Sequence, residues 1–116
     1  MKFRFSEKMY SDGFSEKKLK STCNKIKYGK VMVNVFLITL PLIDEGILEI
    51  YRYAELLQPP YRKLNQEVMV VGIAKSKNDA FSLIESIVKD VGFVDGKIPI
   101  NDYFKNLNVD IDRENV

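Results

Sequence analysis

Glu67-Val68-Met69-Val70-Val71-Gly72-Ile73-Ala74-Lys75-Ser76-Lys77-Asn78-Asp79-Ala80, running on to Gly92, decides the fold. Val68–Ala74 is a β-branched, apolar run of strand length, bounded by polar residues on both sides. Ser76-Lys77-Asn78-Asp79 then matches the Ser-x-x-acid pattern, in which a hydroxyl accepts the open amide three residues further on. Ala80, Phe81, Ile84, Ile87, Val88 and Val91 recur at helical spacing, while Ser82, Glu85, Ser86, Lys89 and Asp90 fill the opposite side. Gly92 stops the helix. A buried strand feeding a capped amphipathic helix defines a small globular chain of mixed α and β content.

Working outward, Val31–Leu40 is also β-branched and aromatic-rich, and Pro41 ends it. Asp44-Glu45-Gly46 supplies a turn into a second strand at Ile47–Tyr53, so the two form a hairpin with a longer loop. Ala54–Gln58 has room for one helical turn before Pro59-Pro60 stops it. Upstream, Ser15 caps a first helix whose narrow apolar stripe is Leu19, Thr22/Cys23 and Ile26, with Gly29 at its end. Phe3 and Phe5 alternate with charged residues and suit a short strand, and Asp12-Gly13 is a turn. Ile98, Ile100, Tyr103, Phe104 and Leu107 supply a short strand or docked segment near the end.

The expectation is an α+β fold of two or three layers, with a three- to four-stranded, mainly antiparallel sheet and two main helices. The element order is α-β-β-β-α plus a short C-terminal element. Residues 1–107 form the single domain and 108–116 a polar tail. The first and third strands of the α-β-β-β-α core are apolar on both alternating faces, so the sheet needs cover on both sides. Either the two helices lie on opposite faces, or the 97–107 segment or a second protomer covers what they leave open. A second copy would make the protein a homo-oligomer.

Composition narrows the chemistry. The chain has 116 residues, no histidine and one cysteine, Cys23, which excludes an intrachain disulfide and suits a reducing cytoplasm. Without imidazole, Ser-His-Asp and Cys-His arrangements cannot be built, and a thiolate or imidazole zinc site lacks its ligands. The longest apolar run, Val31–Ile43, is interrupted by Asn34, Thr39 and Pro41, and the first residues lack the apolar core of an export signal. Neither a membrane partner nor a cofactor is expected, and no catalytic constellation emerges.

The charge is unevenly spread along the chain. Residues 1–30 hold nine Lys/Arg against three Asp/Glu, whereas the rest of the chain is mildly acidic. Lys17, Lys18, Lys20, Lys25 and Lys27 crowd the first helix, an asymmetry that suits an acidic partner or a solvated face. Gly72–Lys77 contains, at Lys75-Ser76, the Lys-Ser of a phosphate loop, but Ala74 stands where its second glycine is needed. Tyr51, Tyr53, Tyr61 and Arg62 flank the proline pair and make a candidate protein-binding patch. Asp110, Asp112 and Glu114 lack the glycine of a calcium loop.

Gly72-x-Ala74-x-Ser76-Lys77-x-x-Ala80 resembles the junction of the double-stranded RNA-binding domain, whose signature there is Gly-x-Gly-x-Ser-Lys-Lys-x-Ala. Ala74 and Asn78 depart from that signature. The resemblance implies the α-β-β-β-α order, a sheet with one face in solvent, and contact of Lys75, Ser76 and Lys77 with phosphates across a groove. The strands, the Leu56-Leu57-Gln58-Pro59-Pro60-Tyr61 segment and the capped helix also resemble small bacterial proteins of unknown function, which implies no chemistry. The expected function is thus non-enzymatic: a small cytosolic binding or assembly module that self-associates or takes another protein. The alternative is nucleic-acid binding through the basic first helix and the Lys75–Lys77 turn.

Overall fold

The computed structural model describes residues 1–41 and 47–105 together with the backbone of 108–109. The Asp44-Glu45-Gly46 turn, Leu107 and the acidic residues from Asp110 on lie outside the described residues.

The chain opens with a strand, β1 (Lys2–Ser11), followed by helix α1 (Glu16–Lys27) and the hairpin strands β2 (Phe36–Thr39) and β3 (Glu49–Arg52). A single helical turn, α2 (Tyr53–Leu56), and a 3-10 turn at Tyr61–Lys63 lead to β4 (Glu67–Ala74), helix α3 (Lys77–Val91), helix α4 (Ile100–Lys105) and a two-residue strand β5 (Asn108–Val109). The α+β class is thus the observed one. The sheet runs β3-β2-β4-β1-β5 and is mixed: β1 lies parallel to β4, whereas the other pairings are antiparallel.

The start of the chain differs most from expectation. Alternating Phe3 and Phe5 suggest a short strand, but β1 is ten residues long because it threads between β4 and β5. Its polar middle is accommodated by a break in register. Phe5 pairs with Val70 and Tyr10 with Gly72, so Ser6–Met9 stand against Val71 alone. On the other side, the adjacent residues Ile38 and Thr39 pair with Gly72 and Val70, again skipping Val71. Facing therefore slips within β4. Val68, Val70 and Ile73 belong to one core, while Val71 and Ala74 belong to the other.

Both faces of the sheet are covered by the chain itself. Cys23 and Ile26 of α1, with Tyr53 and Leu56 of α2, pack on Phe5, Leu37, Val68, Val70 and Ile73. Ala80, Leu83 and Ile87 of α3, with Ile100 and Phe104 of α4, pack on Ile38, Val71 and Ala74. Of the arrangements open from sequence, the helices on opposite faces are what forms, and Ile100 and Phe104 of the last expected segment add to the α3 side. Among the described residues, the cover that each apolar face of the sheet requires thus comes from helices of the same chain.

The local punctuation acts as its residues dictate. Ser15 and Ser76 each accept the amide three residues on, at 3.1 Å from Lys18 and 3.1 Å from Asp79. At the end of α1, Gly29 takes φ +68°, its amide bonds to Ile26, and the Lys30 amide reaches back to Lys25, so these two carbonyls of the last turn are satisfied. In α3 the buried positions are Ala80, Leu83 and Ile87, whereas Phe81 is half exposed.

Candidate anion-binding face

Helix α1 has only a thin apolar stripe, so most of its circumference meets water. Thr22, Cys23 and Ile26 point inward, and the Thr22 hydroxyl donates to the Lys18 carbonyl at 2.8 Å. Lys18 and Lys25 then project on the same side of the helix, two turns and about 10 Å apart along its axis. They form one wall of a groove of about 620 Å³ whose lining also includes Phe14, Thr22, Val31, Met32, Val33, Asn34, Val35 and Lys75.

Lys75 reaches this groove from the far end of β4. Its side chain lies across Gly13, and its ammonium stands 5.2 Å from the Phe14 ring centroid, so the cation is held over an aromatic face. The turn after the third core strand and the first helix, which the sequence treats as separate basic features, thus meet at one place. Around the helix, Lys17, Lys20 and Lys30 join Lys25, Ser21, Asn24 and Tyr28 around a shallower hollow. Beyond that, Lys27 and Arg62 share a third hollow of about 450 Å³ with Met1, Phe3, Tyr28, Val31 and Leu57. Among the described residues, none that lines these three hollows is acidic. The three hollows adjoin through Lys25, Tyr28 and Val31, and cations gathered around concave surfaces favour anions.

The expected strand at Val31–Leu40 is shorter than its composition suggests, and the difference shapes this face. Asn34 adopts φ +58°, and sheet pairing begins only at Phe36. Val31 and Val33 are consequently 80% and 77% exposed, beside Tyr28 at 71%. Among the described residues, no backbone hydrogen bond ties Val31, Met32, Val33 or Asn34 to the rest of the chain. The Tyr28 ring carries the Lys27 ammonium 5.3 Å from its centroid.

The remaining expected site residues separate. Ser76 has its hydroxyl engaged by the Asp79 amide, and Lys77 sits exposed on the first turn of α3, outside the three hollows. Tyr51 and Tyr61 do come together, edge to face at 6.0 Å, with the Tyr51 hydroxyl donating to Glu49 at 3.1 Å. Burial and then that carboxylate push the Tyr51 phenol up to about 12. Tyr53 is fully buried and donates to the Lys30 carbonyl at 2.8 Å, so it belongs to the core beneath α1 rather than to a surface patch.

A second polar cluster has no local signature in the sequence. Lys8 donates to the Tyr103 hydroxyl at 2.7 Å, Tyr10 donates to Asp90 at 2.7 Å, and the two phenol oxygens lie 3.1 Å apart. The Lys8 ammonium also sits near both rings, at 5.8 and 5.4 Å. Hydrogen bonding from Lys8 pulls the Tyr103 phenol below its ordinary value, while burial and then Asp90 push Tyr10 up. The cluster clasps β1, α3 and α4 together. Its members are up to 95 positions apart, so only the tertiary fold reveals it.

Comparison with family models, with curated proteins and with solved structures finds no match to this chain. Among the described residues, no helix is long and apolar enough to cross a membrane.

Proposed function

We propose that the protein is a non-enzymatic, cytoplasmic binding module whose working surface is the basic face of α1, and that its partner is anionic. The observation that carries this reading is the convergence of Lys18, Lys25 and Lys75 around one groove with no carboxylate among the described residues of its lining. Lysines scattered for solubility would not be expected to gather from two elements around a concavity, with one of them seated on Phe14. Retention on a heparin column tests the proposal. The protein should bind at low salt and elute as salt rises, and Lys18→Glu/Lys25→Glu/Lys75→Glu should flow through. Flow-through of the unaltered protein at low salt would overturn it.

The same convergence favours nucleic acid as a second reading, because it joins the first helix and the Lys75 turn into one strip of cations. Self-association retains a narrower support than the sheet suggested: the exposed Ile47, Phe93 and Val94 beside the α3–α4 layer. Light scattering decides that point, a monomer at micromolar concentration removing it.

A further inference from the structure

Resting on the reading that the α1 face binds an anion, we propose that the groove between α1 and Val31–Val35 takes an extended peptide of alternating acidic and apolar residues. The peptide pairs its main chain with Val31–Val33, ahead of the turn at Asn34. Three features of the groove select this occupant. One wall is cationic, with Lys18, Lys25 and Lys75 and no acidic residue among the described lining, so the occupant carries negative charge. The other wall holds β-branched side chains left in water at Val31 and Val33, so the occupant also carries apolar groups. Along that wall, four residues in sequence, Val31–Asn34, have main-chain donors and acceptors that no backbone partner among the described residues satisfies.

That last feature separates a peptide from a nucleic acid. An added peptide strand offers the alternating N–H and C=O groups that such a segment lacks, the usual source of affinity in strand addition. A nucleic-acid strand would satisfy the lysines through its phosphates but would leave the valines and the main chain unmatched. Base stacking also needs open aromatic faces. The ring in the groove lining, Phe14, is approached by the Lys75 ammonium. The groove, about 620 Å³, falls within the range typical of ligand-binding clefts.

The test is fluorescence anisotropy at low salt with a labelled octapeptide of alternating glutamate and valine. Its glutamine counterpart, a form N-methylated on alternate residues and a single-stranded oligothymidylate of equal charge are measured beside it. Two double variants locate the site: Lys18→Gln/Lys25→Gln in the groove and Lys17→Gln/Lys20→Gln outside it. All four lysines are exposed, and thermal melts confirm that both variants fold. The acidic peptide should bind tighter than the oligonucleotide and lose about tenfold in affinity with the groove variant but little with the other. Its glutamine and N-methylated forms should bind more weakly. Equal losses from both double variants, or no effect of N-methylation, would overturn the groove assignment. Oligonucleotide binding stronger than peptide binding would sink the peptide inference while leaving the anion-binding reading intact. Binding of neither would sink both.

Discussion

Residues at the register break carry the sharpest constraints on this sequence. A methyl group at Gly72 would stand 3.0 Å from Ile38 Cδ1 and 3.3 Å from both Ile38 Cβ and the Tyr10 carbonyl oxygen. The side chain of Ile38 has some freedom, but the β1 backbone does not. Gly72→Ala should therefore cost about 1–3 kcal/mol, read as a lower denaturant midpoint at unchanged slope. An unchanged midpoint would mean that β1 is not held against β4 as closely as it stands. The same break leaves the Thr39 hydroxyl fully buried with no hydrogen-bond partner among the described residues. Replacing it with a methyl of nearly the same shape removes a desolvated polar group at little steric cost. Thr39→Val should stabilise by up to about 1 kcal/mol, and a loss of stability would reveal a partner for the hydroxyl. Gly72 also shows why a motif must be weighed against its surroundings. In sequence it opens a phosphate-loop or RNA-binding signature, whereas in the fold it lets two strands approach.

Elements were legible in the sequence wherever their signals are local. Ser15, Ser76, Gly29 and Gly92 act within a few residues, so both main helices begin and end near where caps and terminators place them. The weight of one such signal can be measured. Ser76→Ala removes the bond to the Asp79 amide at the start of a fifteen-residue helix. It should cost about 0.5–2 kcal/mol by chemical denaturation, whereas Ser76→Asp should retain most of the stability. Equal losses from the two would show that the cap contributes packing rather than a hydrogen bond. Strand extents were less legible, because propensity reports a side chain's fit to a pleated surface and not whether a neighbour is present. Val31–Val35 has the composition of a strand, yet Asn34 turns the chain before pairing begins. The parallel alignment of β1 with β4 and the position of β2 beside β4 rest on partners far along the chain. The candidate site divides the same way. The lysines of α1 stand out from charge counting alone, but their meeting with Lys75 depends on sheet order, which no local pattern records.

The molecule as a whole should respond to alkaline pH in two opposing stages, because its tyrosines are held differently. Tyr51 and Tyr53 keep their protons more tightly in the fold than in the unfolded chain, chiefly through burial, and Tyr10 does so through burial and its bond to Asp90. Below about pH 10 both states of these phenols are protonated, and their contribution does not vary. Above it, the unfolded chain gives up protons that the folded chain retains, so stability falls as pH rises, until the folded phenols ionise in turn. Tyr103 works the other way, since the Lys8 ammonium favours its ionised form. From its lowered folded value up to about pH 10, the fold releases that proton before the unfolded chain does, and stability rises with pH. Denaturant midpoints taken across this range should therefore climb slightly and then decline. Tyr103→Phe should remove the climb, because no phenol is left beside Lys8 to ionise. Tyr51→Phe should reduce the decline while leaving the climb in place, since Tyr51 is paired with Glu49 and Tyr61 and takes no part in the Lys8 cluster. A climb that persists in Tyr103→Phe would mean that the Lys8–Tyr103 contact does not form in solution. Without that contact the clasp of β1 on α4 would rest on the Tyr10–Tyr103 hydroxyl pair and on Ile100 and Phe104 in the second core.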